Sequence, residues 1–363
     1  MRQNTCLSEG LPCMKLKYFF VLFAIAFLTP GQYAAASEDR ARSSDTLTIY
    51  LENDLFGLEN RDRYYTHGTK LSWISRDLTR YRDIIYKPQW AQRIIESLPY
   101  LNDPQRLRTV SVSLGQSIYT PEDKETEKLI SDDRPYAGIT YLGLGLHSRN
   151  HRFMDTLELN IGILGPHSYA ENCQRIIHEW AGSVDPRGWD NQLHDELIVN
   201  LYVERKWKAR QLRNTEGFGF DFIPHVGMAV GNAYTGANLG GQVRFGWNIP
   251  NDFGTYLIRA GSDSSAPLDD TDPRFFPVLH RFGIHFFFGV DGKAIARNIL
   301  LDGNTFRSSH SVDKNYFVAD FIGGMGIIIH RFKFTYSYVY RTKEFKKQKD
   351  EHKYGAISLS YTF

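Results

Sequence analysis

The chain has 363 residues, with 43 Lys and Arg against 41 Asp and Glu for a formal charge of +2. That near balance gives no support for a nucleic-acid partner. A mean hydropathy of −0.39 excludes a bundle of membrane-crossing helices, while 14% aromatic residues and 30 glycines suit either a barrel of transmembrane strands or a soluble β-sandwich.

The only long apolar run is 18–30. Lys15 and Lys17 precede it and Ala34, Ala35 and Ala36 follow, the layout of a secretory signal peptide. The run is short for a membrane span, which takes about 20 residues. Residues 1–36 are therefore expected to be a signal peptide cleaved after Ala36. Met14 is an alternative start that would make 1–13 an upstream extension. The remaining chain, 37–363, then keeps Cys173 as its one cysteine and has no internal disulfide.

Twelve segments read as strands: 45–54, 65–77, 108–119, 137–149, 153–164, 190–208, 217–231, 238–248, 279–300, 312–331, 332–345 and 353–363. Several alternate with period two, 45–54, 108–119, 137–149, 153–164, 332–345 and 353–363 among them. In the last, Ile357, Leu359, Tyr361 and Phe363 share one face while Ala356, Ser358, Ser360 and Thr362 share the other. The less apolar face carries charge in several strands, Glu158 and Lys333 among them. A sandwich would bury that face in its dry core at high cost, whereas a barrel with a polar bore accommodates it. The expected fold is thus all-β, an antiparallel transmembrane barrel of about 12 strands in one domain.

With an even strand number and both chain ends in the periplasm, the outward connections are 55–64, 120–136, 165–189, 232–237, 301–311 and 346–352. The long connections 78–107 and 249–278 are expected on the periplasmic side. Residues 89–98 read as a short amphipathic helix packed under the barrel mouth. A second helix is expected from Ser168 to Gly182 in an outer loop, with Tyr169, Cys173, Ile176, Ile177 and Trp180 as its apolar stripe. Gln174 and His178 lie four apart and share a helix face. A lone histidine in such a helix is more often a surface residue than a catalyst, yet its ordinary pKa suits a general base near neutral pH.

Strand one ends in Glu52-Asn53-Asp54 and strand two opens with Tyr65-Thr66-His67-Gly68. These are common turn residues, and they are also hard oxygen ligands of the kind Ca²⁺ takes. The topology brings both to the rim that carries the second helix. A histidine that activates water beside a cation that stabilises an oxyanion would be a lipase-type arrangement. There is no Gly-x-Ser-x-Gly elbow and no His-Glu-x-x-His zinc helix. In 120–136, Lys124, Lys128 and Arg134 are interspersed with acids, which reads as a solvated loop more readily than as a phosphate site.

A series of motifs in fixed order runs along the chain. They are Glu52-Asn53-Asp54-x-Phe56, Asp62-Arg63-x-Tyr65-Thr66-x-Gly68 and Gln116-x-Ile118-Tyr119-Thr120-Pro121. Asp133-Arg134-Pro135-Tyr136-Ala137-Gly138, Gly165-Pro166 with Gln174-x-x-x-His178, and Gly188-Trp189-x-Asn191-Gln192-Leu193 follow. Together they resemble the lipid A 3′-O-deacylase family of outer-membrane barrels over essentially all of 37–363.

The resemblance implies a Ca²⁺-dependent ester hydrolase of the outer membrane, facing the outer leaflet, that releases the 3′-linked acyloxyacyl chain of lipid A in lipopolysaccharide. It implies that His178 activates water, that Asn53, Thr66 and Gln174 line the site, and that Asp54 is the calcium-side carboxylate. A monomer is expected. One departure bears on turnover rather than fold. The family places a supporting glutamate six residues after the histidine, where this chain has Val184 followed by Asp185, with Glu179 and Asp190 the other nearby acids. The rival readings are an outer-membrane phospholipase and a non-enzymatic barrel whose site has decayed. Phosphatidylethanolamine hydrolysis would distinguish the first, and ion conductance without hydrolysis the second.

Overall fold

The computed structural model describes residues 44–363 apart from 58–63, 86–87, 99–100, 105, 182–185, 214–216 and 278–280. The signal-peptide segment and positions Val184 and Asp185 lie outside the described residues. The strands are β1 (Thr46–Asn53), β2 (Tyr64–Ile74), β3 (Leu107–Thr120), β4 (Ala137–Arg149), β5 (Phe153–Leu164), β6 (Glu196–Trp207) and β7 (Arg210–Arg213), then β8 (Phe218–Gly231), β9 (Tyr234–Trp247), β10 (Phe282–Asn298), β11 (Phe317–Ile329), β12 (Phe332–Arg341) and β13 (His352–Thr362). Among the described residues three short α-helices accompany them, α1 (Gln89–Glu96), α2 (Ala170–Ala181) and α3 (Ile299–Asp302).

Apart from β6 and β7, each strand pairs antiparallel with its sequence neighbours, and β1 pairs with β13, Thr46 opposite Thr362. The short β7 continues the position of β6. Both pair with β8, at Asn200–Lys206 and Arg210–Arg213 respectively. The wall therefore has twelve strand positions and closes on itself through the β1–β13 and β6–β8 pairings.

The register gives every strand one face to the outside and one to the bore. Ile49 on β1 is opposite Leu359 on β13, which is opposite Phe334 on β12. All three are exposed, as are Leu142, Leu197, Val230 and Phe286 around the same wall. The opposite face carries Tyr50, Lys70, Glu158, Glu204, Arg244 and Lys333, all buried. An apolar band around a polar interior is the pattern of a barrel in lipid and the reverse of a sandwich core.

Connection 249–278, expected as a periplasmic excursion, instead enters the bore. Its backbone and side chains meet the inward charges. Gly261 N donates to Glu158 at 2.7 Å, and Lys70 donates to Ser262 and Asp263 at 3.1 Å each. Lys333 donates to Asp252 at 2.6 Å, and Gln242 Nε2 donates to the Thr255 carbonyl at 2.8 Å. Glu52 accepts from Ile258 N, so the first residue of the Glu52-Asn53-Asp54 run serves this internal plug.

Buried charges of this kind are satisfied only as partners, and removing one leaves the other stranded. Lys70→Ala is therefore expected to destabilise the barrel by about 3–5 kcal/mol, as does loss of one partner of a buried pair elsewhere. The temperature at which the folded band disappears on heated SDS gels should fall. A Lys70→Ala, Asp263→Ala double variant should recover part of the loss.

Candidate functional site on the outer wall

The rim opposite the chain ends carries the expected site residues. At the end of β1, Asn53 Oδ1 accepts from Leu55 N at 2.7 Å and caps a single helical turn, Asp54–Phe56. The turn folds back and buries Asp54. Asn53 has the parity of Leu47 and Ile49, so it belongs to the outward face. Its Nδ2 lies 3.4 Å from His67 Nδ1, and His67 Nε2 lies 2.7 Å from Thr69 Oγ1.

The start of β2 is bulged. Tyr65 pairs with Tyr119 and His67 with Ile118, leaving Thr66 as the extra residue. The bulge lets Tyr65 lie tilted against Tyr119 and meet Tyr354 edge-on, at 5.0 and 5.3 Å between ring centres, on the bore side. Thr66 Oγ1 lies 2.8 Å from Thr120 Oγ1. Thr120 follows Gln116 and Ile118 on the outward face of β3.

The second group of residues is seated on that same face. Gln116 Nε2 donates to the Ser168 carbonyl at 2.8 Å and to Thr140 Oγ1 at 3.0 Å, while Thr140 Oγ1 donates to the same carbonyl at 2.8 Å. These bonds fasten the segment that leads into α2 to the outside of β3 and β4. Gly165, at φ +100°, makes the turn out of β5 where an L side chain is disfavoured. Gly138 lets the helix start approach β4: a Cβ there would stand 2.0 Å from the Ala170 Cβ. Ile118, Tyr136, Ala170 and Trp189 form the buried cluster beneath.

α2 begins at Ala170, two residues later than expected, because Tyr169 ends the preceding turn at φ 57°. The face it presents to the wall is Ala170, Gln174 and His178, all buried. Tyr169 is exposed and Ile176 and Ile177 are half-buried, so the apolar stripe read from sequence flanks this face instead of forming it. Trp189 Nε1 donates to Gln174 Oε1 at 2.9 Å. Among the described residues Gln174 Nε2 is a buried donor with no partner.

The structure thus places Asn53, Asp54 and Thr66 at one corner of this rim, and Gln174 and His178 one turn apart on the buried face of α2. β3 links the two groups, through Thr120 on one side and through Ile118 and Trp189 on the other. Thr120 and His67 had no assigned role in the sequence. The alternation Gln116, Ile118, Thr120 would have put the first on the site's face, but the bulge at Thr66 has no local signal.

Arg134 leaves the set of phosphate ligands considered for loop 120–136. It is buried, donates to Glu344 at 3.1 Å and lies 4.6 Å from the Tyr119 ring centre. Burial alone would raise the Glu344 pKa, but the Arg134 and Arg341 guanidinium groups outweigh it and lower the value. Burial raises the neighbouring Asp133 carboxyl, although that group accepts from Glu122 N and Arg134 N. Glu179 and Asp190 are exposed. A chamber of about 250 Å³, lined in part by Tyr119, Tyr141 and Tyr202, opens on the bore side of the wall, opposite the face that carries Gln116 and Thr140.

No three His, Cys, Asp or Glu residues gather into a metal-binding group among the described residues. The corner at Asp54 offers one buried carboxylate with amide and hydroxyl oxygens nearby. That donor chemistry fits Ca²⁺, which accepts neutral oxygens and water, and does not fit a thiolate or imidazole zinc centre.

A closed twelve-stranded barrel with an apolar outer band around a polar bore defines an integral β-barrel membrane protein. The family model described as outer membrane protein LpxR matches residues 19–363, and the chain belongs to that family. Among solved structures, LpxR from Salmonella typhimurium matches with a TM-score of 0.69 at 19% identity, covering 88% of this chain and 100% of that one. The β domain of the Bordetella autotransporter BrkA matches with a TM-score of 0.44 at 9% identity, covering 90% of this chain and 100% of that one. No curated protein sequence matches. The likeness to the Salmonella structure shows the fold, and the family match makes this an outer-membrane protein.

Proposed function

We propose that the chain is a Ca²⁺-dependent lipid A 3′-O-deacylase that works from the outer leaflet. The observation that carries this reading is the buried Gln174–His178 face of α2, seated on the outward side of β3 and β4 at the rim that also carries Thr66, Thr120 and Asp54. A site in that place meets its substrate laterally from lipid. A pocket in the bore would require the substrate to leave the membrane.

In this reading His178 takes a proton from a water positioned against the ester carbonyl. The water oxygen attacks the carbonyl carbon and the carbonyl oxygen becomes an oxyanion. Gln174 Nε2, a buried donor without a partner among the described residues, can donate to that oxyanion as the charge develops. The tetrahedral intermediate collapses, the sugar oxygen leaves and takes the proton from His178, and the fatty acid is released. Asp54 and neighbouring oxygens would hold Ca²⁺, which when bound would supply positive charge for the developing oxyanion. Trp189 fixes the Gln174 amide through its carbonyl end, leaving the NH₂ end for substrate.

Chelation tests the metal part. Purified barrel in detergent with lipid A is expected to lose activity in EGTA and to regain it with added Ca²⁺, while Asp54→Ala fails to regain it. Full activity after thorough chelation would remove Asp54 from the role of metal ligand.

A further inference from the structure

The described residues of 75–106 follow β2 at the rim that carries the chain ends and pack on the outside of the barrel. Leu78 bridges to Arg108, its N donating to the Arg108 carbonyl at 2.7 Å. Tyr81 OH donates to the His147 carbonyl at 2.8 Å. The Arg108 side chain donates to the carbonyls of Thr79 at 2.6 Å and Asp103 at 3.0 Å.

Leu78, Tyr81 and Leu101, with Ile95 and Leu98 beside them, pack on Val110, Leu146 and Leu157. Val110, Leu146 and Leu157 lie opposite one another in β3, β4 and β5. They share the parity of Leu142 and Ile161, which are 53% and 47% exposed on the outer face. The expected helix under the barrel mouth is therefore a helix on the outer wall, standing where lipid contacts the neighbouring strands.

α1 has a second apolar edge. Ile95 faces the wall, while Trp90 and Ile94 point away and are 66% and 54% exposed. They lie four apart, one turn along the helix. Arg82 and Arg93 flank them and are exposed as well. At the same rim the wall carries Trp73 on β2 and the pair Phe153 and Trp207 on β5 and β6. Arg106 and Arg205 lie 5.9 and 5.7 Å from the Phe153 ring centre. Tryptophan with arginine at this level is the composition of a membrane–water interface.

We propose that α1 is an interfacial anchor whose Trp90–Ile94 edge inserts among the phospholipids of the periplasmic leaflet. The occupant of this face is phospholipid because the face is continuous with the lipid-facing wall and extends its aromatic girdle. Exposed guanidinium groups at the edge match the phosphate of the headgroup. The anchor is independent of the hydrolytic reading. It would hold the barrel's depth and rotation from the leaflet opposite the site.

The test uses the folded barrel in nanodiscs of phosphatidylethanolamine and phosphatidylglycerol. A nitroxide is placed by Ile94→Cys, and separately by Glu96→Cys, each in a Cys173→Ser chain. The label at 94 is expected to collide with oxygen more than with a water-soluble nickel chelate, and the label at 96 to show the reverse. Brominated phospholipid should also quench less tryptophan emission in Trp90→Phe than in the unaltered chain. A label at 94 as accessible to nickel as the one at 96 would overturn the proposal, as would bromolipid quenching unchanged by Trp90→Phe. Either result would show a face bathed in water.

Discussion

His178→Ala is expected to cut ester hydrolysis by about 10²–10⁴-fold, the range a positioned general base contributes. The imidazole sits on the wall-facing side of α2, 5% exposed, one turn from Gln174. Alanine favours helix and leaves the seating of Ala170 and Gln174 intact. The heat-modifiable folded band should therefore be unchanged while turnover collapses. Gln174→Ala should have a smaller effect on binding than on turnover, since in this reading its Nε2 donates to the developing oxyanion. Purified variants assayed on lipid A, with folding followed by heated gels, separate the two outcomes. Normal turnover in His178→Ala would remove the proposed base.

Gly138→Val should disable the enzyme without touching any reacting group. Even a single Cβ at 138 would stand 2.0 Å from the Ala170 Cβ and 2.5 Å from Ser168 Oγ. Ordinary carbon contacts are about 3.5–4.0 Å, so the start of α2 must retreat from β4 by more than an ångström. Misplacement on that scale costs about 100-fold in rate when it moves a catalytic group. The strand pairing of β4 is unaffected, so the barrel should still fold. Gly138→Ala is the milder version, and Ala170→Gly in the same chain should return part of its activity by reopening the gap. Activity retained in Gly138→Val would mean that α2 does not need this seat.

Much of the fold was legible because a barrel wall is local information repeated. The alternation that put Leu359 and Tyr361 opposite Ser358 and Ser360 needs no knowledge of the partner strand, and the pairs observed with β1 and β12 follow from it. The charged residues that argued for a polar bore, Glu158 and Lys333, are inside it, each held by the same internal segment. That segment was the main misplacement. Nothing in 249–278 announces where it packs, because its position is set by charges on distant strands such as Lys70 and Glu158.

α1 was misplaced for a related reason. Its amphipathic pattern is real, but two apolar edges read the same as one broad stripe until Val110 and Leu146 are seen beneath it. At the site, Asn53, Asp54 and Thr66 were brought to one rim by strand counting alone. The pairing of Gln174 with His178 followed from helical spacing. What spacing did not reveal is how α2 attaches. Gly138, Gln116 and Trp189 appeared as motif residues without a role, and the structure gives each one a contact that seats the helix.

Mass spectrometry of lipid A from a Gram-negative host expressing this chain, beside its His178→Ala variant, reads the proposed reaction itself. Lipid A lighter by one 3′-linked acyloxyacyl unit, seen only with His178 present, is the predicted result. Unaltered lipid A from a host whose outer membrane holds the folded barrel would contradict it, and would turn the same site toward phospholipid hydrolysis or toward no chemistry at all.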